Sequence, residues 1–189
     1  MCCVPTEDVM TFGCSDGMCF ASDGSVEGTR GAFGWATSHE DGTRTLSNSG
    51  PARGATPGGS FRAEGCGQLS WLRFTKHVQM CTQQKWKGEI DAWTDNESLV
   101  DKASEVRKWQ QRVPANTLTS DWDAVKTIVD TMRELEQGGT PANMKWVKGH
   151  QDNKTQHSAL PMEAQMNCKA DLEAFQHQRE LGGTRDKVF

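Results

Sequence analysis

The hydrophobic period of the chain first changes near residue 60, and this restricts the fold more than any other feature. Before that point, short apolar runs stop at turn residues. Met18-Cys19-Phe20-Ala21-Ser22 runs into Asp23-Gly24-Ser25, as a strand stopped by a turn does. Residues 31–37 alternate small with large and suit a second strand. Asp41-Gly42 is a hairpin signal, and Arg44 to Ser47 is the expected returning strand. Residues 48–60 are dense in Gly, Pro and Ser and read as a loop. Beyond them, Trp71, Phe74, Val78 and Cys81 recur at three- and four-residue steps, with Leu69 and Leu72 widening the face. Arg62 to Gln83 is therefore predicted as an amphipathic helix.

The second half alternates strand and helix signals. Ile90 to Thr94 predicts a strand closing on Asp95, and Asn96 is a good N-cap for a helix facing inward with Leu99, Ala103 and Val106. Pro114 marks a break. Ser120 with Asp123 resembles a capping box for a helix carrying Trp122, Val125, Val129, Met132 and Leu135 on one side, ended by Gly138-Gly139. Met144 to Lys148 is a fifth strand candidate, followed by a polar loop over 151–159. Pro161 suits the first turn of a last helix, on which Ala164, Cys168, Asp171 and Phe175 share a face. This order predicts an α/β fold: a mixed five-stranded sheet, three antiparallel strands and then α-connected ones, with helices on both faces. One domain is expected over 17–182, with an N-terminal tail at 1–16 and a C-terminal tail at 183–189.

Net charge is −4 and the pI about 5.7, the sign opposite to that of most nucleic-acid binders. Bound cations would reverse that sign locally. The cysteine count is seven, without a CxxC pair, and Cys14 and Cys19 are too isolated for a zinc site. Reduced thiols in an intracellular protein, cytoplasmic or nuclear, are the expectation. No apolar stretch approaches the roughly 20 residues of a membrane span.

Three acids stand out by context: Asp23 ends the first strand, Asp95 ends the fourth, and Asp171 lies on the inward face of the last helix. Glu64 opens the first helix. Each has a plainer reading taken alone: Asp23 as a turn former, Glu64 as a first-turn acid favoured by the helix dipole, Asp95 as a capping acid, Asp171 as an ion-pair partner, and His150 as an ordinary loop residue. Together, carboxylates gathered without thiolates or a histidine cluster suit hard, oxygen-loving cations such as Mg²⁺ or Mn²⁺.

Five motifs in order carry a resemblance: Ser22-Asp23-Gly24-Ser25, Arg62-Ala63-Glu64, Trp93-Thr94-Asp95-Asn96, Val147-Lys148-Gly149-His150 and Asn167-Cys168-Lys169-Ala170-Asp171. This series resembles ribonuclease H type 1 domains over roughly 18–180. Ser60 to Glu64 and Trp146 to Asp152 look most like versions in retroelement reverse-transcriptase polyproteins. The resemblance implies endonucleolytic cleavage of the RNA strand of an RNA/DNA hybrid, leaving 5′-phosphate and 3′-hydroxyl ends, with two Mg²⁺ ions (Mn²⁺ as the substitute).

The roles follow residue by residue. Asp23 would bridge both metals, and Glu64 and Asp95 would complete the metal on the leaving-group side. Asp171 would hold the water-activating metal, and His150 would assist proton movement or product departure. Gly24, Ser25, Arg62 and Asn96 would approach the substrate, and a reverse-transcriptase domain in a parent polyprotein is an implied partner.

Some features depart from the family pattern. A second Ser15-Asp16-Gly17 makes Asp16 an alternative first ligand, and the Trp-rich basic helix that some members use to grip hybrid is not evident. Two other readings share the fold: a non-catalytic binding or connector module, and an integrase or transposase relative. Those enzymes normally carry a glutamate where this chain has Asp171.

Overall fold

The computed structural model describes residues 18–39, 45–54, 59–83, 88–109 and 120–183. Strands β1 (Met18–Glu27), β2 (Arg30–His39) and β3 (Thr45–Pro51) form an antiparallel meander. Helix α1 (Phe61–Thr82) leads to β4 (Ile90–Thr94). Helices α2 (Glu97–Lys108) and α3 (Trp122–Gln137) then lead to β5 (Ala142–Trp146). Two 3₁₀ turns (Gln151–Asn153 and His157–Ala159) precede α4 (Met162–Gly183). The five strands make one sheet in the order β3-β2-β1-β4-β5, with β1–β4 and β4–β5 parallel. The mixed α/β architecture is thus the one that the change of period predicts.

The sheet is covered on both faces, and the two faces are built differently. On one, α1 and α3 seat large side chains: Phe20 stacks on Trp71 with ring centroids 3.8 Å apart, and Leu72, Val78, Ile128 and Leu135 complete a continuous core. On the other, α4 lies close against β1 and β2 through small residues. A Cβ on Gly34 would come within 2.2 Å of the Ala170 carbonyl oxygen and 2.6 Å of the Ala174 nitrogen. The buried residues of α4 are Ala164, Asn167, Ala170, Ala174 and Gln178, with Met166 beside them packed on Cys19, Ala21 and Ala36. The expected stripe through Cys168 and Phe175 is therefore corrected: Phe175 is 47% exposed, because the helix turns its Asn167, Ala170 and Ala174 face to the sheet.

Four other local expectations shift. β1 does not stop at Asp23-Gly24-Ser25 but stays paired with β2 as far as Glu27↔Arg30. β3 runs on to Pro51, since its pairing with β2 continues from Thr45↔Ser38 to Pro51↔Ala32. β5 begins two residues earlier than Met144, drawn by the pairing of Ala142 with Ile90. Ser120 and Asp123 do not form a capping box. The N-cap of α3 is Asp121, at φ 62°, and both Asp121 and Asp123 are bound by Arg62. Asn96 does cap α2, its side-chain oxygen accepting from the Leu99 N–H at 3.0 Å. The far end of α2 is capped from α3, where Arg133 donates to the carbonyls of Val106, Arg107 and Trp109. Pro114, Asp41-Gly42 and both expected tails up to residue 16 and from 184 lie outside the described residues.

Candidate metal centre

The carboxylates meet where β1 and β4, parallel neighbours, run side by side. Asp23 stands in the second half of β1, and Asp95 follows immediately after β4. Glu64 reaches them because α1 starts almost in contact with β1. A Cβ on Gly24 would sit 2.5 Å from the Glu64 nitrogen and 2.7 Å from the Ala63 carbonyl carbon, so the glycine is a spatial requirement there. Gly67 repeats the close approach one turn on, against the Ser22 side chain and the Gly34 carbonyl. One oxygen each from Asp23, Glu64 and Asp95 lies within 4.8 Å of the others. Asp171 comes from α4 and lines the same cleft, together with Gly24, Ser60, Asn96, Glu97, Ser98 and His150. The cleft holds about 380 Å³.

The grouping is electrostatically costly without a cation. Asp23 is 5% exposed and Glu64 3%. Burial pushes the Asp23 carboxyl up to about 8, with the charges of Asp95 and Asp171 adding to it, while the Gly24 N–H on its Oδ1 at 2.6 Å works the other way. Burial also raises Glu64 well above the ordinary range, reinforced by Asp23 and Asp95 and opposed by the Thr94 hydroxyl, which donates to it at 3.2 Å. Asp95 and Asp171 are shifted upward too, first by burial, with His150 pulling both back. No Lys or Arg lines this cleft among the described residues. Acids this buried are stable as charges only beside a cation, and the all-oxygen donor set fits a hard divalent one.

The supporting contacts fix each acid. The Asp95 backbone carbonyl accepts from the Trp146 indole at 3.1 Å, and its side chain faces the Asn167 amide. Gly149 backs onto Asp95 so closely that a Cβ there would meet Oδ2 at 2.2 Å. His150, in a left-handed conformation at φ 50°, places Nδ1 3.6 Å from Asp171 Oδ2. Gln68 donates to the Trp93 carbonyl at 2.9 Å and ties α1 to β4 beside the acids.

The expected substrate-facing residues divide. Gly24 and Asn96 line the cleft. Ser25 is turned toward α4, where its hydroxyl donates to Gln178 at 2.8 Å. Arg62 is held by Asp121 at 3.0 Å and doubly by Asp123, and it also reaches the Arg53 carbonyl, so its charge is already matched. Asp16 lies outside the described residues. Asn167 and Gly149 as supports of Asp95 were not singled out from the sequence, although both lie inside quoted motifs. Ser60, Glu97 and Ser98 carried no chemical signal beyond their places at helix starts.

No family model and no curated protein sequence matches this chain. Solved structures do. RNase H1 from the halophilic archaeon Halobacterium salinarum is 17% identical, with 87% of this chain and 99% of that one covered, at a TM-score of 0.56. LC11-RNase H1, solved in complex with an RNA/DNA hybrid, is 14% identical over 87% and 98% at 0.55. The foamy viral protease–reverse transcriptase in complex with RNA/DNA hybrid is 13% identical at 0.58, with 86% of this chain matching 20% of that much longer one. At these identities the likeness is one of fold.

Proposed function

We propose that this chain, which has the ribonuclease H-like fold, hydrolyses the RNA strand of RNA/DNA hybrids with divalent cations held by Asp23, Glu64, Asp95 and Asp171. The observation that carries the reading is the convergence of four acids from four separate segments on one cleft, with two of them buried. Burying acids in this way lowers stability unless a cation takes part, so the arrangement makes sense as a cation site and poorly as a structural one. Two divalent ions held there would supply charge neutralisation and an acidified water at a phosphodiester.

The chain's own contributions follow from the contacts. Asp23, buried and flanked by Glu64 and Asp95, would hold cation charge at the centre of the acid group. Thr94, Asn167 and Gly149 hold Glu64 and Asp95 in place. His150, exposed and beside Asp171, can carry a proton at Nδ1 to or from the cleft mouth. Products with 5′-phosphate and 3′-hydroxyl ends are expected. Recognition of RNA would come through 2′-hydroxyls across the wide minor groove. The likeness to part of a foamy viral protein supports a finer reading, that the domain works beside a reverse-transcriptase domain.

The test is cleavage of an end-labelled RNA paired to DNA, paired to RNA, or single-stranded, beside a DNA duplex, each with Mg²⁺, Mn²⁺ or chelator. Cutting of the hybrid's RNA strand only, lost with chelator and with Asp95→Asn, is the expected result. A folded protein that cuts none of them sinks the nuclease reading. A second reading, a non-catalytic connector module of the same fold, is favoured by the net charge of −4 and by an Arg62 already neutralised by two aspartates. No cleavage, together with no saturable Mg²⁺ binding in a calorimetric titration, would favour it.

A further inference from the structure

Beyond the acid cleft, the outer face of α4 and the loop of 3₁₀ turns enclose a second groove of about 490 Å³, lined by Asp152, His157, Cys168, Lys169, Asp171, Leu172 and Phe175. Asp171 lines both, so the groove opens directly from the reaction cleft. We propose that it receives one unpaired base of the strand being cut, a base bearing an exocyclic amino group. The proposal rests on the hybrid-nuclease reading above.

Three features define the occupant. Its wall is apolar and presented to solvent: Leu172 is 53% and Phe175 47% exposed, one helical turn apart. Isolated exposed apolar residues are ordinary, but a flat ring beside a leucine in one groove is a stacking surface. The Arg179 guanidinium lies 5.7 Å from the Phe175 ring centroid and, with Lys169, puts positive charge at the rim. Inside, Asp152, beside the Cys168 thiol, presents a carboxylate, which repels a phosphate but accepts hydrogen bonds from amino groups such as those of cytosine or adenine. A free phosphate fails on Asp152, and a purely apolar ligand offers that carboxylate no donor. A nucleobase with its phosphate toward Lys169 and Arg179 satisfies all three.

The experiment measures fluorescence anisotropy of labelled hybrids with the Asp95→Asn protein in Mg²⁺, alongside cleavage by the unsubstituted protein. The hybrids differ only in one unpaired RNA position beside the cut site: cytosine, uracil or an abasic sugar. Stacking on an exposed ring predicts that cytosine binds about fivefold or more tighter than the abasic form. Phe175→Ala should abolish that difference, and Leu172→Ala should reduce it. Asp152→Asn should abolish the preference for cytosine over uracil. Equal binding of cytosine and abasic hybrids, or a difference that survives Phe175→Ala, overturns the subsite while leaving the nuclease reading intact. Binding that follows the expected pattern without any cleavage overturns the nuclease alone, and no binding of any hybrid overturns both.

Discussion

The burial of Asp23 makes a quantitative demand on the metal-free protein. Its carboxyl is pushed from 3.8 to about 8, so between those values the folded state holds a proton that the unfolded state has released. Because the folded state binds the extra proton, stability must fall as pH rises through that window and be fully present only below it. A shift of about four units corresponds to a ceiling of about 5 kcal/mol at the alkaline end. Water entry into the cleft and the shared titration with Glu64 will reduce it, and about 2 kcal/mol is a fair floor, or about 4–8 °C in melting temperature for a chain of this size. Asp23→Asn keeps the shape and removes the charge. In chelator at pH 8 the substituted protein should therefore melt higher than the unsubstituted one by at least that amount, and at pH 4 the two should converge. Adding Mg²⁺ should raise the melting temperature of the unsubstituted protein strongly and that of Asp23→Asn little. The assay is a set of thermal melts by circular dichroism across this range, with and without Mg²⁺. A flat pH profile in chelator, with Asp23→Asn less stable throughout, would refute the claim that the acids strain the fold when no cation is bound.

Other consequences can be checked with the same preparations. Gly34→Ala forces a methyl into the α4 backbone at Ala170 and Ala174, and denaturant melts should show a loss of about 3 kcal/mol or more, since neither side can yield by changing rotamer. Trp71→Ala removes the ring stacked on Phe20 and should cost about 3–5 kcal/mol in the same melts, with the Mg²⁺-induced stabilisation retained. Gly149→Ala drives against Asp95 Oδ2, so calorimetric titration should show Mg²⁺ affinity reduced about 10-fold or more with the fold retained. Asn167→Ala leaves the Asp95 side chain without its amide neighbour and should weaken Mg²⁺ binding in the same titration, by about 10-fold.

What the sequence disclosed and what it hid have a common physical origin. Periodicity reports burial of large side chains, so the helix carrying Trp71 and Val78, the strand Ile90–Thr94 and the capped helix after Asn96 were legible. It is blind where packing depends on smallness. The α4 stripe of alanines with Asn167 and Gln178 has little apolar period to detect, Met166 being its one large buried side chain, and the pattern points instead to Phe175, which is half exposed. The acids were visible because a carboxylate on an apolar helix face or at a strand end is costly enough to need a reason. The residues that make their convergence possible were not, because Gly24, Gly67 and Gly149 act by lacking a side chain, and a glycine in sequence looks the same whether it turns a loop or clears room for a neighbour. Arg62 shows the converse. A cation beside the cleft's glutamate suggests substrate, and Asp121 and Asp123, some sixty positions away in sequence, pair with it, a pairing that only the tertiary fold creates. Among the described residues the cleft is thus left with its acids, His150 and no Lys or Arg, a lining that suits a bound cation better than a salt bridge.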